Sequence, residues 1–148
     1  MHSSEERLEN IRMIRDSAVA FAPASELARV RGVRYQVPGF DGAVWREMAE
    51  NGWLGLSLPE AQGGIGLGMA EYCALLEVFG AALLPEPFVP AVLAARLLDG
   101  EQLTAQLSGE RLLLPALQEQ IDSLEAAEGG TRLHNGKVRG RKLCIPMA

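Results

Sequence analysis

A chain of 148 residues has room for one domain with a proper core and the start of a second. Its formal net charge of −5, with no block of Lys or Arg, argues against a nucleic-acid surface, and a hydrophobic content of 48% with 5% aromatics is that of an ordinary helix-leaning soluble domain. Two cysteines, Cys73 and Cys144, and two histidines, His2 and His134, are too few and too scattered for a disulfide framework, a zinc site or a His-based triad.

The opening MHSSEERLEN is acidic and polar, unlike a signal or transit peptide, and no apolar run reaches membrane-spanning length, so a reduced cytoplasmic setting is expected. Ser3 followed by Glu6 fits a capping box, and Leu8, Ile11, Ile14, Ala18 and Val19 form a stripe at helical spacing that Pro23 ends. A short helix is expected from Ser25 to about Arg31, and the RVRGVR run from Arg29 to Arg34 reads as a solvated loop. Asp41 can cap a helix whose apolar side is Val44, Trp45, Met48 and Ala49, closed by Asn51-Gly52.

WLGLSLP is expected to be extended and buried, and MAEYCALLEVF, apolar on nearly every face, to be a central helix. PEPFVP should break the chain before a helix over AVLAARLLDG, with Gly100 as its stop. Beyond Gly109, RLLLPAL and RKLCIP read as strands, and TRLHNGKVRG as a hairpin about an Asn-Gly turn. A lone hairpin is marginal in water, so the chain reads as the front of a longer polypeptide.

The glycine cluster at 63, 64, 66 and 68 has the outline of a phosphate loop but not its spacing. A G-x-G-x-x-G fingerprint begun at Gly64 would need glycine where Met69 stands, and begun at Gly66 it would need glycine at Glu71. No G-K-[ST] follows either. The loop is expected to turn the chain, not to hold a nucleotide.

WREMAENGWLGLSLPEAQGGIGLGMAEYCALLEVFG resembles the N-terminal helical domain of the acyl-CoA dehydrogenases. Gly52-Trp53, Pro59-Glu60, Gly63-Gly64, Gly66, then Glu77 and Gly80 match the family's spaced pattern, and LLPEPFVPAVLAARLL and LSGERLLLPALQEQ follow in its usual order. The resemblance implies a mainly α chain: an N-terminal helical bundle domain over 1–109, then the first strands of an incomplete middle β domain over 110–148. It further implies FAD as cofactor, α,β-dehydrogenation of an acyl-CoA substrate, electron-transferring flavoprotein as acceptor, and a homo- or hetero-oligomer.

Flavin-side residues implied by the resemblance are Leu117 and Gln118, in ALQEQ, together with Cys144 and Pro146, in GRKLCIPMA. Gln118 stands where the family has Thr, Cys144 where it has Trp, and Pro146 where it has Thr; proline has neither hydroxyl nor N–H to offer. The family's catalytic Glu lies in a C-terminal domain beyond Ala148, so no catalytic residue is assigned here and the chain as given is expected not to catalyse.

Tyr72, Leu76 and Glu77 are the candidates for the acyl pocket. Tyr72 and Leu76 serve equally as bundle core, and Glu77 as a helix-end carboxylate reaching solvent. Trp45 and Trp53 are expected in the core, and Cys144 as a small buried strand residue, unless it approaches the flavin. Glu60 fits a turn-side hydrogen bond better than a cation site, and no metal site is assigned. Two function classes stand: the amino-terminal part of an acyl-CoA dehydrogenase, or a non-catalytic subunit of a heteromeric one. A free-standing helical interaction domain is the weaker third.

Overall fold

Ala18, Met48, Leu75 and Ala91 come from four different helices and meet at 0–1% exposure in one core. The computed structural model describes residues 4–25 and 27–145. Its helices are α1 (Ser4–Phe21), α2 (Leu27–Val33), α3 (Gly42–Glu50), α4 (Met69–Ala81), α5 (Phe88–Ala95) and α6 (Gly100–Leu107). A two-stranded antiparallel sheet follows, β1 (Arg132–His134) with β2 (Lys137–Arg139). The mainly helical architecture followed by the start of a β unit agrees with the sequence reading. Among the described residues no helix is long and apolar enough to cross a membrane.

Local chemistry accounts for several boundaries. Asp41 caps α3, its carboxylate accepting the Ala43 N–H at 2.8 Å, and Gly52 closes it with φ +72°. Glu71 reaches back to accept the Gly68 N–H at 3.1 Å, one arm of a capping box at the start of α4. The capping pair proposed at Ser3 lies outside the described residues. In α1, Ile14 and Ala18 are buried, while Leu8 and Val19 stay exposed. The helix packs along α4, and that seam is narrower than its apolar stripe.

Aromatic side chains knit the core between helices. Phe21 meets Trp53 edge-on at 4.9 Å, Trp53 meets Phe79 at 5.3 Å, and Phe79 meets Phe88 at 5.1 Å. Such pairs add about 0.5–1.5 kcal/mol each beyond their burial. The two tryptophans are core residues, as expected.

WLGLSLP is buried as expected but not extended. A strand would send alternate side chains to opposite faces. Instead a single 3-10 turn at Trp53–Gly55 coils the chain so that Trp53, Leu54, Leu56 and Leu58 all point inward. The glycine run then folds back along this segment: Ile65 N–H donates to Gly55 C=O at 3.1 Å, Gly66 N–H to Leu58 C=O at 2.8 Å, and Leu67 N–H to Leu56 C=O at 2.9 Å. Contact is so close at Gly64 that a Cβ there would sit 2.1 Å from the Leu58 carbonyl oxygen.

Five further expectations are corrected. RVRGVR is not a loop: Arg29 to Val33 belong to α2, and the Arg29 guanidinium grips the Glu86 carboxylate through contacts of 2.6 and 3.2 Å. The Glu86 side chain is 0% exposed and also accepts the Asp41 N–H at 3.3 Å, so burying it requires these donors. Helix α5 begins at Phe88 and carries Pro90 in its first turn, where the missing N–H breaks no helical bond. Gly100 does not stop a helix but opens α6, which buries Leu103, Ala105 and Gln106.

RLLLPAL forms no strand ladder among the described residues. Leu113 is paired by a side chain instead: the fully buried Gln106 donates to Leu113 C=O at 3.1 Å and accepts its N–H at 2.7 Å, while also donating to Ala91 C=O at 3.0 Å. A carboxamide here does the work of a neighbouring peptide group. The described part of RKLCIP, residues 141–145, likewise forms no strand; the hairpin about Asn135-Gly136 does form, both turn residues having positive φ, 50° and 70°.

Gly64→Ala is expected to destabilise by about 1–3 kcal/mol, because Leu58 backbone must move to admit the methyl group. Gly80→Ala, on α4 with open space around it, should stabilise by about 0.5–1 kcal/mol. Denaturant melts of both variants check the contrast in sign. In the same assay Arg29→Ala should cost about 2–3 kcal/mol, less than a fully buried pair because Arg29 still touches water.

Candidate functional site

Two extended segments bring the flavin-side candidates together. Leu143 N–H donates to Gln118 C=O at 2.8 Å, and the Lys142 ammonium reaches Leu117 C=O at 3.4 Å. Leu117, Gln118 and Cys144 therefore share one neighbourhood; Pro146 lies outside the described residues. Leu117 is exposed. Gln118 turns its carboxamide back, donating to Ile121 C=O at 2.8 Å. Cys144, expected to be buried, is exposed on a backbone with φ +51°, because the segment carrying it has no second strand over it among the described residues.

The anchor of this neighbourhood is Glu119. Its carboxylate accepts the Lys142 ammonium at 2.7 Å, the Thr131 N–H at 2.8 Å and the Ala127 N–H at 2.9 Å, tying three separate stretches to one side chain. Lys142 first, and then those backbone donors, hold the carboxyl far below its ordinary value of 4.5. A Cβ on Gly130 would fall 2.0 Å from the same carboxylate, so glycine is required beside it. Sequence reading placed Glu119 in the flavin-side segment without a role; the signal was the lone acid flanked by glutamines, with its cation 23 residues on.

On the helical side the structure joins Tyr72 and Leu76 but not Glu77. The Tyr72 ring stacks on Phe88 at 5.8 Å, and its burial pushes the hydroxyl above the ordinary 10.0. Leu76, half-buried, lines an apolar cleft of about 580 Å³ with Phe79, Leu84, Pro87, Phe88 and Val89. Glu77 points away from that cleft, exposed, and pairs with Arg15 of α1, which is the surface alternative of the two weighed for it.

Glu60 is exposed in a single 3-10 turn. Among the described residues no cluster of His, Cys, Asp and Glu is built to hold a metal, and Cys73 and Cys144 are both free thiols. For a flavin, the described donors are thin: a carboxamide already bonded to Ile121, an exposed thiol and an exposed leucine. These side chains do not by themselves fit the ring's polar edge.

The Glu119 anchor should persist at neutral pH and fail in acid. A depressed carboxyl stabilises fully above its ordinary value of 4.5 and loses that contribution as pH falls below it toward the lowered folded value. Amide exchange at Thr131 and Ala127 should show protection at pH 7 that declines in acid, and Glu119→Gln should abolish the acid step.

The family model for the acyl-CoA dehydrogenase N-terminal domain matches residues 9–98. Acyl-CoA dehydrogenase FadE27 of Mycobacterium tuberculosis is 30% identical over 113 residues, covering 70% of this chain and 30% of that protein. Acyl-CoA dehydrogenase FadE34 of the same organism is 29% identical over 119 residues, covering 76% and 17% respectively. The chain thus spans less than a third of either relative. A solved variant of the "Tcur3481-Tcur3483 steroid ACAD" superposes with TM-score 0.70 at 30% identity, over 97% of this chain and 42% of that one. The ChsE4-ChsE5 complex from Mycobacterium tuberculosis superposes with TM-score 0.63 at 24% identity, over 88% and 36%, a likeness of fold. With the matched domain running from within α1 through α5, more than half of the chain, the chain belongs to the acyl-CoA dehydrogenase family.

Proposed function

We propose that this chain is the amino-terminal part of an FAD-dependent acyl-CoA dehydrogenase, its helical domain spanning 1–109 and the opening of the middle β domain 110–148. The observation that carries this reading is the mainly apolar cleft walled by Leu76, Phe79 and Phe88, which offers an acyl chain an apolar surface of small-ligand size. The chain's own task is to bind and orient: the cleft excludes water from the acyl group, and Tyr72 braces its Phe88 wall. In the whole enzyme a flavin would supply the hydride acceptor, with electron-transferring flavoprotein as its onward acceptor, and Leu117, Gln118 and Cys144 of this chain would offer it little polar contact. The α-proton falls to a carboxylate that none of these residues replaces.

The description of one structural relative as a steroid ACAD favours a bulky acyl group over a short one. A second reading is a non-catalytic subunit of a heteromeric dehydrogenase. It is favoured by the Gln118 carboxamide being spent on Ile121, and by two names being paired in both solved relatives.

Calorimetric titration with a saturated acyl-CoA thioester, set against free CoA, tests the first reading. Val89→Arg and Leu76→Trp, both on the cleft wall, should weaken the thioester about tenfold or more and leave free CoA unchanged. Unchanged thioester binding in both variants would sink it. Co-purification separates the second reading: the chain then assembles with an unlike subunit, and flavin absorbance follows that heteromer.

A further inference from the structure

Charge in this chain is segregated along its length. All 19 acidic residues lie at or before Glu128, whereas Arg132, Lys137, Arg139, Arg141 and Lys142 follow with no acid among them. The hairpin arranges these cations in register: Arg132 faces Arg139 and His134 faces Lys137, with Leu133 opposite Val138 between them. Side chains alternate across a strand, so both polar pairs share one face and the apolar pair takes the other. Like charges directly opposite each other destabilise an antiparallel pair. Lys142 is neutralised by Glu119, but Arg132, Lys137 and Arg139 form no ion pair among the described residues.

The cationic face is also concave. Gly129, Gly130 and Gly140 join Arg132, His134, Lys137 and Arg139 around a cleft of about 770 Å³, with Leu133 and the turn residue Asn135 at its edge. That volume lies in the range of small-molecule sites, roughly 300–1,000 Å³. The glycines keep one wall low, so a ligand can approach the backbone. Two guanidinium forks across one strand pair suit tetrahedral oxyanions, which they bind through paired N–H donors.

We propose that this face of the hairpin is a binding site for a phosphate-bearing small molecule, whose phosphoryl oxygens sit between Arg132 and Arg139, with His134 and Lys137 along the flank. The bound anion offsets the repulsion that the empty register leaves. An acidic protein surface fits the cleft less well, since its carboxylates would have to project into a concavity. The site shares no lining residue with the acyl cleft; it borders the Glu119 neighbourhood through Gly129, Gly130 and Arg132, but its argument needs no flavin.

Amide-resolved NMR of the protein titrated with inorganic pyrophosphate at low salt is the test. Shifts should concentrate at Arg132, His134, Lys137 and Arg139, and Arg139→Gln should weaken binding about tenfold. Arg132→Gln should act the same way. Without ligand, Arg139→Gln should raise hairpin amide protection, because it removes one of two facing charges; an arginine with a merely structural role would lower it. Adenosine diphosphate in a parallel arm separates the sources: tighter binding than pyrophosphate marks an organic phosphoester ligand, and equal binding marks the phosphate alone. Shifts scattered over the chain, or unaltered by both arginine variants, would overturn the proposal. So would a response to a polyglutamate peptide without one to pyrophosphate.

Discussion

One buried carboxamide joins the two halves of this molecule. Gln106 has no exposed surface, and its three hydrogen bonds connect α6 to Ala91 of α5 and to both polar groups of Leu113. Each such bond contributes only about 1 kcal/mol net, yet leaving any of these buried groups unpaired costs more than the bond returns. The chain leaving the helical bundle is therefore held in one direction from Leu113 onward. Everything that follows, including the pairing of Gln118 with Leu143 and the Glu119 anchor, starts from that fixed point.

Packing and polar chemistry divide the labour. The helical part is held by shape: aromatic rings meeting edge-on, and a glycine loop pressed against Leu58 with no space for a methyl group. Past Leu113 few side chains are buried, and single polar residues take over, each satisfying backbone groups that a complete sheet would satisfy by itself. The cleft proposed for the acyl chain lies on the shape-held side, and the segments that resemble the family's flavin-side strands on the polar side.

What could be read in the sequence followed the range of the interactions. Asp41, Gly52 and Asn135-Gly136 act on backbone within a few positions, so their cap, stop and hairpin turn were all legible. The Arg29–Glu86 pair spans 57 positions, and nothing local marks either partner, so the sequence signals a solvated loop where a half-buried ion pair stands. Gly100 carries a signal that ends helices as readily as it precedes them, and only the apolar face of α6 decides between the two. WLGLSLP has the composition of a strand; its coil follows from the need to bury successive side chains in one direction. Helical spacing puts Tyr72 and Leu76 on one side of α4, where both pack against the core and Leu76 also lines the cleft. The exposure of Cys144 and the surface pairing of Glu77 depend on neighbours far along the chain.

The central claim is that the cleft between α4 and α5 receives the acyl chain. Photo-crosslinking with an acyl-CoA thioester carrying a diazirine at its distal end, followed by peptide mass spectrometry, addresses this most directly. Label on peptides containing Leu76, Phe79 or Val89 is the expected result, and it should be competed away by unlabelled thioester. Saturable label confined to other faces of the helical bundle would contradict the account.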